Sequence, residues 1–310
     1  MTRIFVTRRL PAICNELLAS HFVVEANEDS QPLSTESLHD VLAAYDGVLT
    51  SVSDKVTAAC MEGARVRAIS NYGVGLDNIE VEAARARGIA VYHVPHVVTD
   101  STADLTFALL LSLVRRIPPA QHFVRNGQWR CWDPGLFVGE ELAGKTLGIL
   151  GYGRIGRAVA RRAQGFGMRV IAQDEAPAPD EALVLLDVLL RESDVISIHL
   201  PLTPATRGMV NLEMMRRMHR RPILLNLARG PIVKTDDLVC ALREGLVRGA
   251  ALDVTDPEPI GGDHPLVQME NCLVVPHIGT STEECRGAMA RHAARNLIEH
   301  FGRDRGLVRA

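Results

Sequence analysis

The amino-acid sequence predicts an α/β protein with two doubly wound parallel sheets. Short apolar runs alternate with helix-like segments over residues 4–92, and a second alternation of the same kind begins near residue 146. A glycine-rich loop follows the first strand-like run of that second series. The length of 310 residues fits two domains, each large enough to bury a core of its own.

The first alternation contains four strand-like runs, which are residues 4–6, 48–50, 66–69 and 89–92. Its helix-like segments are residues 11–20, 56–61 and 79–87. Residues 100–116 then predict a long, mostly buried helix with Thr99 or Asp100 as its cap. Alternation of this kind is typical of parallel strands that are joined by helices.

The second alternation contains six strand-like runs, which are residues 147–150, 169–172, 195–198, 223–226, 250–252 and 272–275. A complete dinucleotide-binding fold also has six strands with helices between them. An amphipathic helix over about residues 283–301 follows, and its apolar side carries Met289, Ala293, Leu297 and Ile298.

Composition excludes several classes of protein. A hydrophobic share of 47% excludes a disordered chain, and a formal net charge of −3 gives no reason to expect a nucleic acid or a membrane as partner. The longest apolar stretch, residues 105–114, is about half the length that spans a bilayer, and the N-terminus lacks a signal-peptide pattern. The six cysteines form no C-x-x-C pair, which favours free thiols in a reducing compartment. We expect a cytoplasmic protein with a small-molecule ligand.

The glycine-rich loop has the sequence GYGRIG over residues 151–156, between a strand-like run and a helix over residues 157–165. In this context G-x-G-x-x-G indicates a dinucleotide site. Gly151 permits a tight turn, Gly153 lets a pyrophosphate approach the backbone, and Gly156 lets the helix pack closely on the strand. The backbone N–H groups of Arg154 and Ile155 then face the phosphates.

A carboxylate follows the second strand of this series. Asp174 stands where an acidic side chain accepts hydrogen bonds from the adenosine ribose hydroxyls. A carboxylate at that position repels a 2′-phosphate, which favours NAD over NADP. The alternative is a solvated surface acid like its neighbour Glu175.

Three polar residues lie just after strands of the second series, at the edge where open α/β sheets bind ligands. They are Arg229, Glu258 and His277. Singly, each could be structural, since an arginine at a strand end often pairs with an acid. Together they form an anion-binding and acid–base constellation beside a nucleotide loop.

Seven stretches of the chain, in order and spacing, resemble the D-isomer-specific 2-hydroxyacid dehydrogenase family, and within it glyoxylate/hydroxypyruvate reductases. They are residues 71–78 (NYGVGLDN), 98–104 (VTDSTAD), 151–156 (GYGRIG), 199–203 (HLPLT), 226–230 (NLARG), 251–254 (ALDV) and 276–279 (PHIG). The resemblance covers nearly the whole chain.

The resemblance implies a reaction and roles for the residues that carry it. The chain would reduce a small 2-keto acid to the D-2-hydroxy acid with hydride from a nicotinamide. Arg229 and the backbone of Val74 and Gly75 would bind the substrate carboxylate, for which a guanidinium suits best. His277 would donate the proton to the keto oxygen, and Glu258 would hydrogen-bond the other ring nitrogen and orient the ring.

The resemblance also implies a set of residues that line the dinucleotide site beyond the glycine loop, with Asp253 near the nicotinamide amide. They are Thr102, Pro201, Leu227, Ala228, Asp253 and Gly279. For Pro201 an ordinary turn after a strand is an equally good interpretation. No metal is expected.

The implied architecture places a Rossmann-like NAD-binding domain, residues 99–282, inside a flavodoxin-like substrate-binding domain made of residues 1–98 and 283–310. The family is usually homodimeric through the helix near residues 100–117 and the arm after it. Trp132 lies in that arm, where it would either line a substrate pocket or pack as an interface aromatic.

Two features depart from the usual family pattern. His93 and His96 form an H-x-x-H where a glycine or aspartate often replaces the second histidine, but metal binding would require further ligands. The loop after Asp174 is short, which leaves the adenine pocket less defined. Neither departure touches the three reacting groups.

Alternatives within the same fold family are phosphoglycerate and phosphite dehydrogenases. The first usually carries an extra regulatory domain, and the loop of residues 71–75 fits phosphite less well. An NAD-sensing, corepressor-like binding protein without catalysis is an alternative of another class. The sequence does not distinguish glyoxylate, hydroxypyruvate and pyruvate as substrates.

Overall fold

The computed structural model describes residues 1–29, 31–175 and 182–304, with only the backbone of residues 303 and 304. The chain forms two compact units. Unit 1 consists of Met1–Val98 and the C-terminal segment that begins at Ser281, and unit 2 consists of Thr99–Thr280. The short loop predicted after Asp174, over residues 176–181, and the end of the predicted substrate-binding domain, residues 305–310, lie outside the described residues. Among the helices that are described, none is long and apolar enough to cross a membrane.

Unit 1 is built on a five-stranded parallel sheet. Its strands are β1 (Arg3–Val6), β2 (Val23–Ala26), β3 (Gly47–Ser51), β4 (Ala68–Tyr72) and β5 (Ala90–Tyr92). Its first helices are α1 (Ala12–Ala19), α2 (Thr35–Ala44) and α3 (Val81–Ala86). The strand order β2-β1-β3-β4-β5 is that of flavodoxin-like sheets, and every residue of β3 and β4 is buried. The central strands therefore form the core, and their carboxyl ends carry the loops at residues 51–54 and 73–76.

Unit 2 is built on a six-stranded parallel sheet. Its strands are β6 (Thr146–Leu150), β7 (Arg169–Gln173), β8 (Val195–Ile198), β9 (Ile223–Asn226), β10 (Gly249–Leu252) and β11 (Cys272–Val274). Its helices are α4 (Thr99–Val114), α5 (Ile117–Arg125), α6 (Arg154–Gly165), α7 (Leu186–Glu192), α8 (Leu212–Arg216), α9 (Thr235–Glu244) and α10 (Pro265–Gln268). All six predicted strands are present, and the predicted fold class of two parallel α/β sheets is confirmed.

The strand order of unit 2 determines where a ligand can bind. The order is β11-β10-β9-β8-β6-β7, so the chain leaves β6 for β7 and returns on the other side of β6 as β8. Open α/β sheets bind ligands at the carboxyl ends of the strands, beside such a reversal. The glycine loop follows β6 directly at this point.

Helix α4 packs against α6 on one face of the unit 2 sheet. The rings of Phe107 and Phe166 stack with 4.9 Å between their centroids. At the solvent side, Arg162 Nε donates to Asp104 Oδ1 at 2.6 Å. Thr102 lies in α4, and the glycine loop leads into α6. The packing of these two helices therefore holds two parts of the predicted dinucleotide site next to each other.

Helix α11 (Glu283–Asp304) returns the chain to unit 1 and packs against β4 and α1. Met289, Ala293 and Leu297 are buried, so three of the four residues of the predicted apolar side lie in the core, and Ile298 is half-buried. Ser70 Oγ donates to the carbonyl oxygen of Ala293 at 2.9 Å, which attaches the helix to the middle of β4.

Some predictions for unit 1 are wrong. Residues 56–61 form turns rather than a helix, because Val56 pairs with Ile79 in a parallel bridge that fixes it in an extended conformation. Strand β2 and helix α2 were not predicted. Strand β4 covers residues 68–72 rather than 66–69. In unit 2, α6 begins at Arg154 rather than at residue 157.

Candidate active site

The glycine loop is shaped by backbone contacts that leave no room for side chains at two of its glycines. Gly151 has φ 94°, and a Cβ there would lie 2.7 Å from the carbonyl group of His199. A Cβ on Gly156 would lie 2.2 Å from the carbonyl oxygen of Gly151. At Gly153 a Cβ would meet no atom within 4 Å, so the space in front of this residue is open.

Helix α6 begins at this opening without a side-chain cap. Gly153 is the N-cap, and the backbone N–H groups of Arg154 and Ile155 donate to no group in the described ranges of the chain. Such amides, together with the helix dipole, attract an anion. The open space and the unsatisfied donors fit the pyrophosphate of a dinucleotide.

Asp174 follows β7 and contacts the glycine loop. The backbone N–H of Tyr152 donates to Asp174 Oδ2 at 2.6 Å. The carboxylate therefore stands beside the loop, at the position where a ribose hydroxyl is bound in dinucleotide folds. Glu175, the alternative surface acid, is exposed.

The loop after β11 holds His277 in a left-handed backbone conformation with φ 52°. Asp253, at the end of β10, stabilises this loop through three contacts. Its carbonyl oxygen accepts from His277 N at 2.9 Å, and its carboxylate accepts from Ile278 N at 2.6 Å and Gly279 N at 2.8 Å. The side chain is only 2% exposed, and burial raises the pKa of Asp253 above its ordinary value despite these bonds.

His277 and Glu258 form a direct pair. Nδ1 of His277 lies 2.6 Å from Oε1 of Glu258, and the side chains are 34% and 43% exposed. Burial raises the pKa of Glu258, but the hydrogen bond and charge of His277 and the charge of Arg229 outweigh it, so the pKa lies below its usual value. An ionised carboxylate only accepts, so Nδ1 carries a proton and Nε2 is the nitrogen that remains for a reacting group.

Arg229 is positioned by the loop after β9. Asn226 accepts from Ala228 N at 3.1 Å and donates from Nδ2 to the carbonyl oxygen of Arg229 at 2.9 Å. The next residue, Gly230, packs so closely that a Cβ would lie 1.8 Å from the carbonyl oxygen of Thr255. This contact joins the Arg229 loop to the loop of Glu258, and Arg229 is near enough to lower the pKa of that carboxyl group.

Comparisons with known proteins identify the family of the chain. Residues 107–279 match the D-isomer specific 2-hydroxyacid dehydrogenase, NAD binding domain. The chain is 42% identical to a glyoxylate reductase of Thermococcus kodakarensis over 96% of this chain and 92% of that protein. The chain belongs to the D-isomer specific 2-hydroxyacid dehydrogenase family. It is an NAD-binding oxidoreductase that resembles glyoxylate reductases.

Two solved structures of the family with bound ligands have the same fold. A D-lactate dehydrogenase of Aquifex aeolicus in complex with NAD and lactic acid is 28% identical, with a TM-score of 0.84 and coverage of 99% of this chain and 97% of that chain. An NADPH-dependent glyoxylate/hydroxypyruvate reductase of Sinorhizobium meliloti in complex with NADP and malonate is also 28% identical. Its TM-score is 0.85, with coverage of 97% and 93%.

Within unit 2 of this dehydrogenase, the remaining predicted cofactor residues lie in three places. Gly279 contacts the start of α4, where Ser101 Oγ donates to its carbonyl oxygen at 2.8 Å and Thr102 Oγ1 at 3.4 Å. Leu227 is buried and Ala228 is half-buried in the Arg229 loop. Pro201 is exposed and begins a turn in which its carbonyl oxygen accepts from Thr206. Their roles toward the cofactor stay predictions.

Val74 and Gly75 lie in unit 1, in the loop after β4, and both are half-buried. Trp132 belongs to unit 2 and is 80% exposed. His96 is exposed with φ 75°, and no group of three or more metal-ligating side chains was found in the part of the chain that is described.

Sequence reasoning missed the residues that hold the reacting groups in place. Asn226 and Ser101 were not singled out, and Asp253 was given a cofactor role without its contact to the His277 loop. A signal was available for Asn226, since it is the polar last residue of an otherwise apolar buried strand. The contacts of Asp253 and Ser101 join residues 26 and 178 positions apart, which local patterns do not reveal.

Gly153→Ala and Gly156→Ala form a matched pair that tests the phosphate assignment. We expect Gly156→Ala to lower the melting temperature, because its methyl group would meet backbone at 2.2 Å. We expect Gly153→Ala to keep the wild-type melting temperature but to weaken NADH binding by about tenfold or more, since its methyl group would occupy the pyrophosphate's place. Thermal unfolding and NADH fluorescence titration measure the two effects. Wild-type NADH affinity in Gly153→Ala would show that the pyrophosphate binds elsewhere.

Proposed function

We propose that this dehydrogenase reduces a small 2-keto acid of the glyoxylate/hydroxypyruvate class to the D-2-hydroxy acid, with NADH as the preferred cofactor. The observation that carries the proposal is the 2.6 Å pair of His277 Nδ1 and Glu258 Oε1, with Arg229 close enough to act on the same carboxylate. A relative that is 42% identical is a glyoxylate reductase.

The glycine loop, the start of α6 and Asp174 would hold the dinucleotide. The open space at Gly153 and the unsatisfied amides of Arg154 and Ile155 suit its pyrophosphate, and Asp174 suits the ribose hydroxyls. When bound, the reduced nicotinamide supplies the hydride that adds to C2 of the keto acid.

His277 supplies the proton in the direction of reduction. Because Glu258 accepts the Nδ1 proton, a protonated His277 carries its second proton on Nε2 and can transfer it to the keto oxygen. The hydroxy acid then leaves with that proton, and His277 stays neutral until solvent protonates it again. In the direction of oxidation the neutral ring accepts the hydroxyl proton at Nε2. The carboxylate of Glu258 orients the ring and compensates its charge.

Arg229 is assigned to the substrate carboxylate, because a planar guanidinium binds a planar carboxylate through two parallel hydrogen bonds. The backbone N–H groups of Val74 and Gly75 are assigned to the same carboxylate. Both assignments follow the family resemblance of these positions. They make an anionic 2-keto acid, rather than a neutral ketone, the expected substrate.

Substitution of His277 tests the function and the proton transfer together. We expect His277→Asn to lower kcat by about 10²–10⁴-fold, the usual contribution of a general acid, with NADH binding unchanged. Glu258→Gln keeps an acceptor for Nδ1 but loses the charge, so we expect a smaller loss. His39→Asn, at an exposed position of α2, serves as the control and should behave as the wild type.

The measurement is nicotinamide absorbance with NADH and NADPH, each combined with glyoxylate, hydroxypyruvate and pyruvate. Failure of the wild-type enzyme to consume either cofactor with any of these acids would overturn the proposed function. Near-wild-type turnover of His277→Asn would instead contradict only the assignment of the proton donor.

Cofactor preference is tested at Asp174 with a substitution that spares the loop. Asp174→Asn keeps an oxygen for the Tyr152 N–H but removes the negative charge that opposes a 2′-phosphate. We expect the ratio of kcat/KM for NADPH to that for NADH to rise by about tenfold or more. Glu175→Gln, which removes a neighbouring exposed charge, should leave the ratio unchanged. A wild-type preference for NADPH would contradict the assignment of Asp174.

A homodimer formed by the arm after α4 is part of the proposal. No residue of α5 is buried, and large apolar side chains of this region are exposed in the single chain; they are Ile117, Val124, Trp129, Trp132, Leu136 and Val138. A concentration of exposed apolar side chains in one segment of the chain is typical of an interface between subunits. In a dimer, Trp132 would be buried by the partner.

Charges placed in the arm test the dimer. We expect the double variant Val124→Asp, Val138→Asp to sediment as a monomer, because its carboxylates would be desolvated in the interface. Leu185→Asp is the matched control, since Leu185 is as exposed but lies at the start of α7. Analytical ultracentrifugation distinguishes the outcomes. A monomeric wild type, or a double variant that stays dimeric, would contradict this interface.

A further inference from the structure

In the loop after β4 of unit 1, the carbonyl oxygens of Gly73, Val74 and Gly75 each accept a hydrogen bond. Val94 N donates to the carbonyl oxygen of Gly73 at 2.9 Å. Nδ1 of His93 lies 2.8 Å from the carbonyl oxygen of Val74, and Nδ2 of Asn71 donates to that of Gly75 at 2.8 Å. Two consecutive residues after β5 therefore hold two consecutive peptide groups of this loop.

These contacts determine where the loop's amide groups point. In a trans peptide, the C=O of one residue and the N–H of the next lie on opposite sides of the chain. Since the carbonyl groups of Gly73 and Val74 point toward residues 93 and 94, the N–H groups of Val74 and Gly75 point away from them. In the described part of the chain neither N–H has a hydrogen-bond acceptor, and both residues are only half-buried. The loop thus presents two backbone donors on the side that faces away from residues 93 and 94.

The histidine ring can make only one kind of bond here. A carbonyl oxygen only accepts, so Nδ1 of His93 must carry the proton. The backbone of His93 is fixed as well, because its carbonyl oxygen accepts from Asn296 Nδ2 of α11 at 3.1 Å. Val94 is fully buried. The ring is therefore a fixed donor, and rotation of the Val74–Gly75 peptide would break its bond.

We propose that His93 is a positioning residue that sets the Gly75 amide for the substrate carboxylate. This inference rests on the proposed function, which assigns the amides of Val74 and Gly75 to that carboxylate. His93 acts on the Val74 carbonyl group and not on the substrate itself. It accounts for the first histidine of the H-x-x-H without a metal, and the second, His96, is exposed.

Loss of this bond should weaken substrate binding more than it slows the chemical step. The carboxylate carries its charge in both the ground state and the transition state, so its amide donor stabilises both about equally. Uniform binding of this kind affects KM and leaves kcat nearly unchanged. A hydrogen bond to a charged group corresponds to a change of about 10- to 100-fold in KM.

Substitution of His93 by Asn and by Leu distinguishes the effect of the hydrogen bond from the effect of packing. Nδ2 of an asparagine is attached to Cγ, as Nδ1 of a histidine is, so His93→Asn can still donate to Val74. His93→Leu has nearly the shape of asparagine but no donor. We expect His93→Leu to raise KM for the keto acid about tenfold or more with kcat within about threefold and KM for NADH unchanged. We expect His93→Asn to restore KM, and His39→Leu, at an exposed position of α2, to behave as the wild type.

Steady-state kinetics with glyoxylate and hydroxypyruvate tests the positioning role of His93. Thermal unfolding of each variant shows whether the variant is folded. Equal KM values in the Leu and Asn variants, or a fall in kcat without a rise in KM, would overturn the positioning role while the proposed function stands. A wild-type enzyme that reduces no 2-keto acid would overturn both. Should His93→Leu fail to fold, His93→Ala takes its place, because it has no donor either and adds no charge.

Discussion

The buried carboxylate of Asp253 is the constraint on which the reacting side of unit 2 depends. A left-handed backbone conformation costs a residue with a Cβ about 1–2 kcal/mol, and His277 adopts one at φ 52°. Asp253 compensates by accepting the two amides that follow, those of Ile278 and Gly279. A Cβ at Gly279 would lie 2.8 Å from that carboxylate, so the acid, the histidine and the glycine depend on one another.

In both units, an asparagine side chain fixes the loop that carries a group predicted to bind the substrate carboxylate. Asn226 accepts from Ala228 N and donates to the Arg229 carbonyl oxygen, and Asn71 accepts from Thr50 Oγ1 and donates to the Gly75 carbonyl oxygen. A neutral amide can do both at once, whereas a carboxylate can only accept. Each loop that carries a group predicted to bind the substrate carboxylate therefore begins with an asparagine at or near the end of its strand.

The strands of unit 2 were predictable because each contains a short apolar run between polar segments, and four of the six, β6, β8, β9 and β10, are buried throughout. Strand β2 escaped prediction since its residues are partly exposed at the sheet edge, and α2 escaped although Ser34 caps it and Leu38, Val41 and Leu42 have helical spacing. Residues 56–61 were misassigned because the bridge from Val56 to Ile79 is a long-range contact. The reacting groups follow from the topology rule for strand ends, but their supporting contacts require the folded chain.

Charge in the candidate site is decided locally and not by the formal net charge of −3. Under the proposed function, the guanidinium of Arg229 attracts the anionic keto acid, and the chain as a whole does not. The pair of Glu258 and His277 and the buried Asp253 bring acidic groups close to this site, and Arg229 is near enough to lower the pKa of Glu258. An anionic substrate would therefore bind through directed hydrogen bonds from the guanidinium rather than through an excess of positive charge.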